Sequence, residues 1–210
     1  MKRLLLFISL IYFGCKDDTP QKVARVVSKV DKPSEMVLLK NEFEDKVDSL
    51  IPLAEQFTRQ NRYNTDIIFI ADLSMHSGLE RFAIVDLRND AIIHNGLVAH
   101  GAGGRYWAKK AMFSNTPNSL KSSTGKYKIG AKYNGRFGKA YKLHGLEETN
   151  SNAFERFIVL HAYDCVPDET MYPEFLCNSE GCPMVSYKFL DVLSSYIDKS
   201  KRPILLWIIG

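Results

Sequence analysis

Residues 66–99 read DIIFIADLSMHSGLERFAIVDLRNDAIIHNGLVA, and three short segments within them are rich in Ile, Val and Phe. Asp66–Ala71, Arg81–Leu87 and Ala91–Ala99 are separated by polar or glycine-containing breaks, a pattern typical of consecutive antiparallel strands. Arg88-Asn89-Asp90 suits the hairpin turn between the second and third segments. The sequence therefore predicts a sheet in this part of the chain.

A helical segment is predicted before the sheet, over residues 34–65. Its apolar residues recur at close to helical spacing. They are Val37, Leu38, Phe43, Val47, Leu50, Ile51, Ala54 and Phe57. Because a proline removes a hydrogen bond inside a helix, Pro52 predicts a kink or two consecutive helices. We expect the segment to pack on the domain that follows; binding a partner is the alternative.

The rest of the chain completes an α+β fold that is mainly β. Residues 100–145 are dense in Gly, Ser, Asn and Lys, and they predict loops and short strands. Phe157–His161 predicts another strand, Ser186–Asp198 a helix, and Ile204–Ile209 a final buried strand. We expect residues 66–210 to form one domain.

The N-terminus has the features of an export signal. Lys2-Arg3 precedes an apolar run over residues 4–13, which is too short to cross a bilayer as a helix. Gly14-Cys15 resembles a bacterial lipobox. This pattern predicts a signal peptide over residues 1–14 and lipidation of Cys15.

The expected lipid anchor is followed by a polar tether over residues 15–33. Lys16-Asp17-Asp18 resembles the export signal of some surface-exposed lipoproteins. We therefore expect the protein on the outer membrane, on its periplasmic side or at the cell surface. An ordinary cleaved signal peptide with a chance cysteine is the alternative.

The composition fits a folded domain. The chain has 210 residues, of which 45% are apolar, enough for a packed core. The net charge of +4 is small and evenly spread, which argues against a nucleic-acid partner. We expect a monomer.

Three cysteines follow Cys15, and an odd number in an exported protein leaves one thiol unpaired. Cys182 lies in Asn178-Ser179-Glu180-Gly181-Cys182-Pro183. A predicted helix follows, and a helix N-terminus would lower the pKa of the thiol and favour a thiolate. Backbone N–H groups around Gly181 and Cys182 are candidates for an oxyanion hole.

A cysteine nucleophile needs a base, and His161 closes the predicted strand upstream. Two alternatives remain open from the residues alone. His161, Cys165, Cys177 and Cys182 have spacings close to those of a zinc site. His161 and Cys182 are otherwise an ordinary core histidine and a buried, inert cysteine.

Five segments together resemble the YkuD-like L,D-transpeptidases, in the branch with a murein L,D-transpeptidase catalytic domain. The resemblance spans roughly residues 67–209. The segments are Phe113-Ser114-Asn115, Ser122–Tyr127, Gly145-Leu146-Glu147, Ile158–His161 and Ser179–Pro183.

The resemblance implies a β-sandwich-like fold with N-terminal helices and a helix after the nucleophile. It implies cofactor-free acyl transfer on peptidoglycan stem peptides, with Cys182 as nucleophile and His161 as base. Ser179 and Gly181 would support the nucleophile turn, and carbapenem-like β-lactams would acylate the thiol. His144, Tyr163 and Ser123 are candidate substrate-binding residues, and no metal is expected.

The sequence departs from the family at two positions near the nucleophile. Met184 stands where many members carry an arginine, which removes one anchor for a substrate carboxylate. Glu180 replaces a histidine, and an acid here would raise the pKa of the thiol. Given the resemblance, Cys165 and Cys177 are the natural disulfide pair. A Cys177–Cys182 bridge that blocks the nucleophile is the alternative.

Three functions compete. The first is an L,D-transpeptidase that forms 3→3 crosslinks or attaches a protein. The second is an L,D-carboxypeptidase with water as its only acceptor. The third is a non-catalytic wall-binding lipoprotein of the same fold.

Overall fold

A computed structural model of the protein describes residues 32–105 and 107–210. The predicted signal peptide, the lipidation site Cys15 and all but the last two residues of the predicted tether lie outside these residues. None of the helices within them combines the length and apolar character needed to cross a membrane.

The described residues form eight strands and two helices. The elements are α1 (Lys32–Gln60), β1 (Ile67–Asp72), β2 (Phe82–Asp86), β3 (Ala91–Gly96), β4 (Gly125–Gly135), β5 (Gly138–Gly145), β6 (Val159–Ala162), β7 (Met184–Val185), α2 (Tyr187–Ile197) and β8 (Leu205–Ile209). The strands make one mixed sheet in the spatial order β3-β2-β1-β8-β4-β5-β6-β7; the β1–β8 and β6–β7 pairs are parallel and the other pairs antiparallel. This confirms the predicted α+β fold, mainly β.

The three strands predicted from residues 66–99 are β1, β2 and β3, with Asp90 at a positive φ of 47° in the predicted turn. The expectation of loops and short strands over residues 100–145 is wrong in part. β4 and β5 form a long hairpin there, with exposed or half-buried residues at many positions. Its polar face hid the apolar alternation that identifies a strand.

The predicted N-terminal helical segment is one continuous helix, so the alternative of two consecutive helices is wrong. Pro52 is exposed on the solvent side of α1. Water can therefore hydrate the carbonyl that lacks its helical partner.

Alternation along the strands builds a core on each face of the sheet. On one face, Phe43 and Val47 of α1 pack on β1 and β2 through residues such as Ile68. On the other face, Phe69 and its alternate neighbours pack with α2.

The sheet curls until its two edges meet. The chain leaving β3 makes an antiparallel bridge to β7, where the Ala99 N–H donates to the Met184 carbonyl at 2.8 Å. Three residues further on, the Ala102 N–H donates to the Ser179 carbonyl, also at 2.8 Å. Residues 179–184 therefore lie where the two edges of the sheet meet.

Candidate active site

A tight turn over residues 179–183 presents Cys182 at the start of β7. The Ser179 hydroxyl donates to the Cys182 carbonyl at 2.6 Å and accepts from the Gly181 N–H at 3.0 Å. Gly181 has φ 118°, and a Cβ there would lie 2.8 Å from the Lys121 carbonyl oxygen. Only glycine therefore fits this position.

The Cys182 thiol is free and half-buried against β6. Its sulfur accepts from the Val159 N–H at 3.4 Å. Burial raises the pKa of the thiol to about 11; the Val159 N–H and Arg156 act in the opposite direction, and Glu180 adds to the rise. The effect of Glu180 is the one predicted from the sequence.

The expected lowering of the thiol pKa by a helix N-terminus is wrong. β7 intervenes between Cys182 and α2, which begins at Tyr187. The hydroxyl of the N-cap residue Ser186 accepts from the Phe189 N–H, so the helix satisfies that amide itself. The amides that α2 would need to stabilise a thiolate lie away from the sulfur.

His161 lies on β6, in register with Met184 of β7. Its Nδ1 is 2.9 Å from the Ala162 carbonyl oxygen. A carbonyl can only accept, so Nδ1 carries the proton and Nε2 keeps a free lone pair. The ring stacks on Phe137 at 4.3 Å between centroids, and burial lowers the pKa of His161. The imidazole is therefore a neutral base.

One cleft of about 740 Å³ contains both groups. Of the residues predicted for the site, Cys182, His161, Ser179 and Tyr163 line it; Gly181 forms the turn behind the thiol. Other lining residues include Ala102, Arg105, Leu120, Arg136, Phe137, Arg156, Phe157, Glu180 and Met184.

Two predicted substrate-binding residues are not among the lining residues of this cleft. His144 is on β5, where its ring stacks on Phe154 at 4.7 Å. Ser123 is buried, and its hydroxyl lies 2.6 Å from the Tyr127 hydroxyl. These contacts account for both side chains.

Two cleft residues, Arg156 and Phe137, were not predicted from the sequence. Arg156 precedes β6, and Phe137 lies at the tip of the β4–β5 hairpin. Neither belongs to a short motif, and each reaches the site through tertiary packing. The one available signal was an arginine next to the strand that carries the predicted base.

Cys165 and Cys177 form a disulfide, as the family resemblance implied, and Cys182 is left free. Two of the four side chains in the zinc alternative are therefore unavailable as ligands. Within residues 32–105 and 107–210, no cluster of three or more His, Cys, Asp or Glu side chains could hold a metal ion.

A family profile described as L,D-transpeptidase catalytic domain matches residues 39–206, about four fifths of the chain. No curated protein sequence matches the chain.

Several solved structures resemble the fold at low identity. An L,D-transpeptidase from Mycobacterium smegmatis is 12% identical, with a TM-score of 0.42 over 69% of this chain and 59% of that one. The helical cell shape determining protein Pgp2 from Campylobacter jejuni is 13% identical, with a TM-score of 0.42 over 79% and 54%. An L,D-transpeptidase from Mycobacterium tuberculosis H37Rv is 12% identical, with a TM-score of 0.37 over 69% and 58%. The chain thus matches between half and three fifths of the length of these proteins.

Proposed function

Because the chain belongs to the L,D-transpeptidase catalytic domain family, we propose that it is a cysteine acyltransferase acting on peptidoglycan stem peptides. One observation carries the proposal. A free cysteine and a neutral histidine line the same cleft, and the histidine is oriented by a backbone carbonyl. This is the nucleophile, base and orienting group that thiol acyl transfer requires.

In the proposed reaction, His161 Nε2 takes the proton from Cys182 Sγ as the sulfur attacks a peptide carbonyl. That carbonyl belongs to the residue before the terminal D-alanine of a tetrapeptide stem. The imidazolium then returns the proton to the leaving amine, D-alanine departs, and a thioester remains on Cys182. An amine of a second stem, or of a protein, releases the acyl group as a new amide.

The backbone of the nucleophile turn supplies one donor to the oxyanion. The Gly181 N–H is already engaged with the Ser179 hydroxyl. The Cys182 N–H has no hydrogen-bond acceptor among the described residues, which leaves it for the developing negative charge. Ser122 holds this amide in place, because its hydroxyl donates at 3.1 Å to the Gly181 carbonyl of the same planar peptide unit.

We propose that the protein is exported and anchored through Cys15 to the cell envelope, where its substrate lies. The membrane contact is then made by the lipid, and the tether separates it from the catalytic domain.

Intact-mass spectrometry after incubation with a carbapenem tests the proposed nucleophile. We expect one adduct on the wild-type protein and none on Cys182→Ala, because only an activated thiol opens the β-lactam. If protein with a reduced Cys182 forms no adduct, the result would contradict the proposal of a cysteine acyltransferase and favour a non-catalytic wall-binding protein.

Incubation with tetrapeptide muropeptides identifies the acceptor. Crosslinked dimers that depend on Cys182 support the transpeptidase, whereas tripeptide alone identifies an L,D-carboxypeptidase. Unchanged muropeptides would contradict both.

A further inference from the structure

Arg156 lies behind the nucleophile turn with its guanidinium held by neutral groups. Nη1 donates to the Ser114 carbonyl at 2.7 Å and to the Ser123 hydroxyl at 3.4 Å. Nη2 donates to the Lys121 carbonyl at 2.5 Å and to the Ser119 hydroxyl at 3.3 Å. The side chain is therefore immobilised by four contacts.

The guanidinium lies close to the backbone next to the nucleophile. Nη2 lies 3.4 Å from the position that a Cβ on Gly181 would occupy, and the Lys121 carbonyl that binds Nη2 faces the same point. Arg156 also lines the cleft that contains Cys182. Its positive charge is thus fixed close enough to Cys182 for the two groups to interact electrostatically.

The charge of Arg156 is not neutralised by a carboxylate. No acidic side chain of the described residues forms a salt bridge with it, and all four acceptors are carbonyls or hydroxyls. A partly buried cation normally has an ionic partner. Here the nearby group able to become an anion during the reaction is the thiol.

The hydrogen bonds argue against a role in gripping a substrate carboxylate. A two-pronged grip needs two parallel N–H donors of the guanidinium. The four Nη hydrogens are matched by four acceptors, which leaves Nε–H alone. Arg156 is therefore placed to act by its charge.

We propose that Arg156 is a positioning residue that stabilises the Cys182 thiolate as it forms, through a fixed positive charge behind the nucleophile turn. The inference rests on Cys182 being the nucleophile of the proposed function. When His161 takes the proton, the thiolate appears in a site that burial has made unfavourable for charge. The guanidinium offsets that cost without contacting the substrate.

Besides burial, four groups act on the charge state of the thiol, and His161 shares its cleft. The Val159 N–H and Arg156 favour the thiolate, whereas Glu180 and the Tyr127 hydroxyl oppose it. His161 lines the same cleft and is neutral above its lowered pKa. Removing Arg156 therefore leaves the single Val159 amide to favour the anion.

The test is the rate of Cys182 alkylation by iodoacetamide, an uncharged reagent, measured against pH in the full-length protein. We expect Arg156→Met to raise the apparent pKa of the thiol by about one unit, which lowers the rate at pH 8 about tenfold. Arg156→Lys keeps the charge and should stay within about threefold of wild type. Ser119→Ala, which removes the 3.3 Å contact to Arg156 Nη2 and a 3.5 Å contact from the Lys121 N–H but no charge, is the matched control and should leave the apparent pKa unchanged.

Arg156→Gln guards against a folding defect, because its amide can still donate to a backbone carbonyl, and it should shift the pKa as Arg156→Met does. The proposal is wrong, and Arg156 is a structural clamp, if both neutral variants fold with an unchanged thiol pKa or if neither variant folds. It is also wrong if the alkylation rate of Arg156→Lys falls as far as that of Arg156→Met. Alkylation needs no substrate, so the result stays readable even if the muropeptide experiment fails.

Discussion

Burial disfavours the charged forms of both Cys182 and His161, and therefore disfavours a thiolate–imidazolium ion pair. It raises the pKa of the thiol to about 11 and lowers the pKa of the imidazole. At neutral pH both groups are uncharged in the free protein. In the proposed reaction the thiolate therefore forms during attack, when the proton passes to His161, and the reaction does not depend on a standing thiolate–imidazolium pair.

The pH dependence of activity should follow from this neutral pair. His161 loses its function as base when it is protonated, and its lowered pKa places that change below pH 6.5. We expect the acid limb of the kcat/KM profile for a tetrapeptide substrate to have its midpoint below pH 6.5. His161→Gln, which removes the base, should lower kcat/KM at least about a hundredfold at pH 7.5. A midpoint above pH 6.5 would contradict the neutral base.

The sequence was informative about residues in short motifs and silent about residues that tertiary packing supplies. Ser179 and Gly181 act on Cys182 within one turn, so their spacing carries the information. Arg156 and Phe137 reach Cys182 and His161 from other parts of the chain. Local sequence patterns do not predict such tertiary contacts.

The β4–β5 hairpin extends from the sheet to His161, the proposed base. Its tip, between Gly135 and Gly138, places the Phe137 ring on the His161 ring, and Tyr163 lies edge-on to Phe137 at 5.9 Å. The hairpin thus covers the imidazole and helps to exclude water from it. The sequence predicted loops and short strands here, but the hairpin they form contributes one wall of the site.

Removing the Phe137 ring should change the pKa of His161 without altering the histidine itself. In Phe137→Ala, water reaches the imidazole, so we expect the pKa of His161 to rise toward 6.5, as measured by NMR titration of the imidazole resonances. Phe154→Ala is the matched control, because that ring stacks on His144 instead. An unchanged pKa in Phe137→Ala would show that other atoms keep His161 dry.

The whole molecule is built around a sheet with a core on each face, and α1 supplies one of them. Phe43, Val47 and Ala54 are at most 1% exposed. The helical spacing predicted this buried face in part, because Val37 and Leu38 of the same pattern are exposed. What the spacing could not predict is which face of the curled sheet would receive the helix, because that depends on strand order.

The fold should depend on α1. Phe43→Ala removes a fully buried ring and should lower the free energy of unfolding by about 3–5 kcal/mol, as measured by chemical denaturation. Leu38→Ala on the same helix is the control, because Leu38 is 62% exposed, and it should change the value by less than about 0.5 kcal/mol. Equal effects of the two substitutions would mean that α1 does not pack as described.

The bridge between Ala99 and Met184 has a consequence for how the protein acquires its reactivity. It joins segments far apart in the sequence, and such contacts form late because a large loop must first be closed. The nucleophile turn lies at this junction, so it takes shape only when the rest of the sheet is in place. A still unfolded chain therefore carries an ordinary thiol, and only the folded protein brings it into one cleft with His161, the arrangement that the proposed acyl transfer needs.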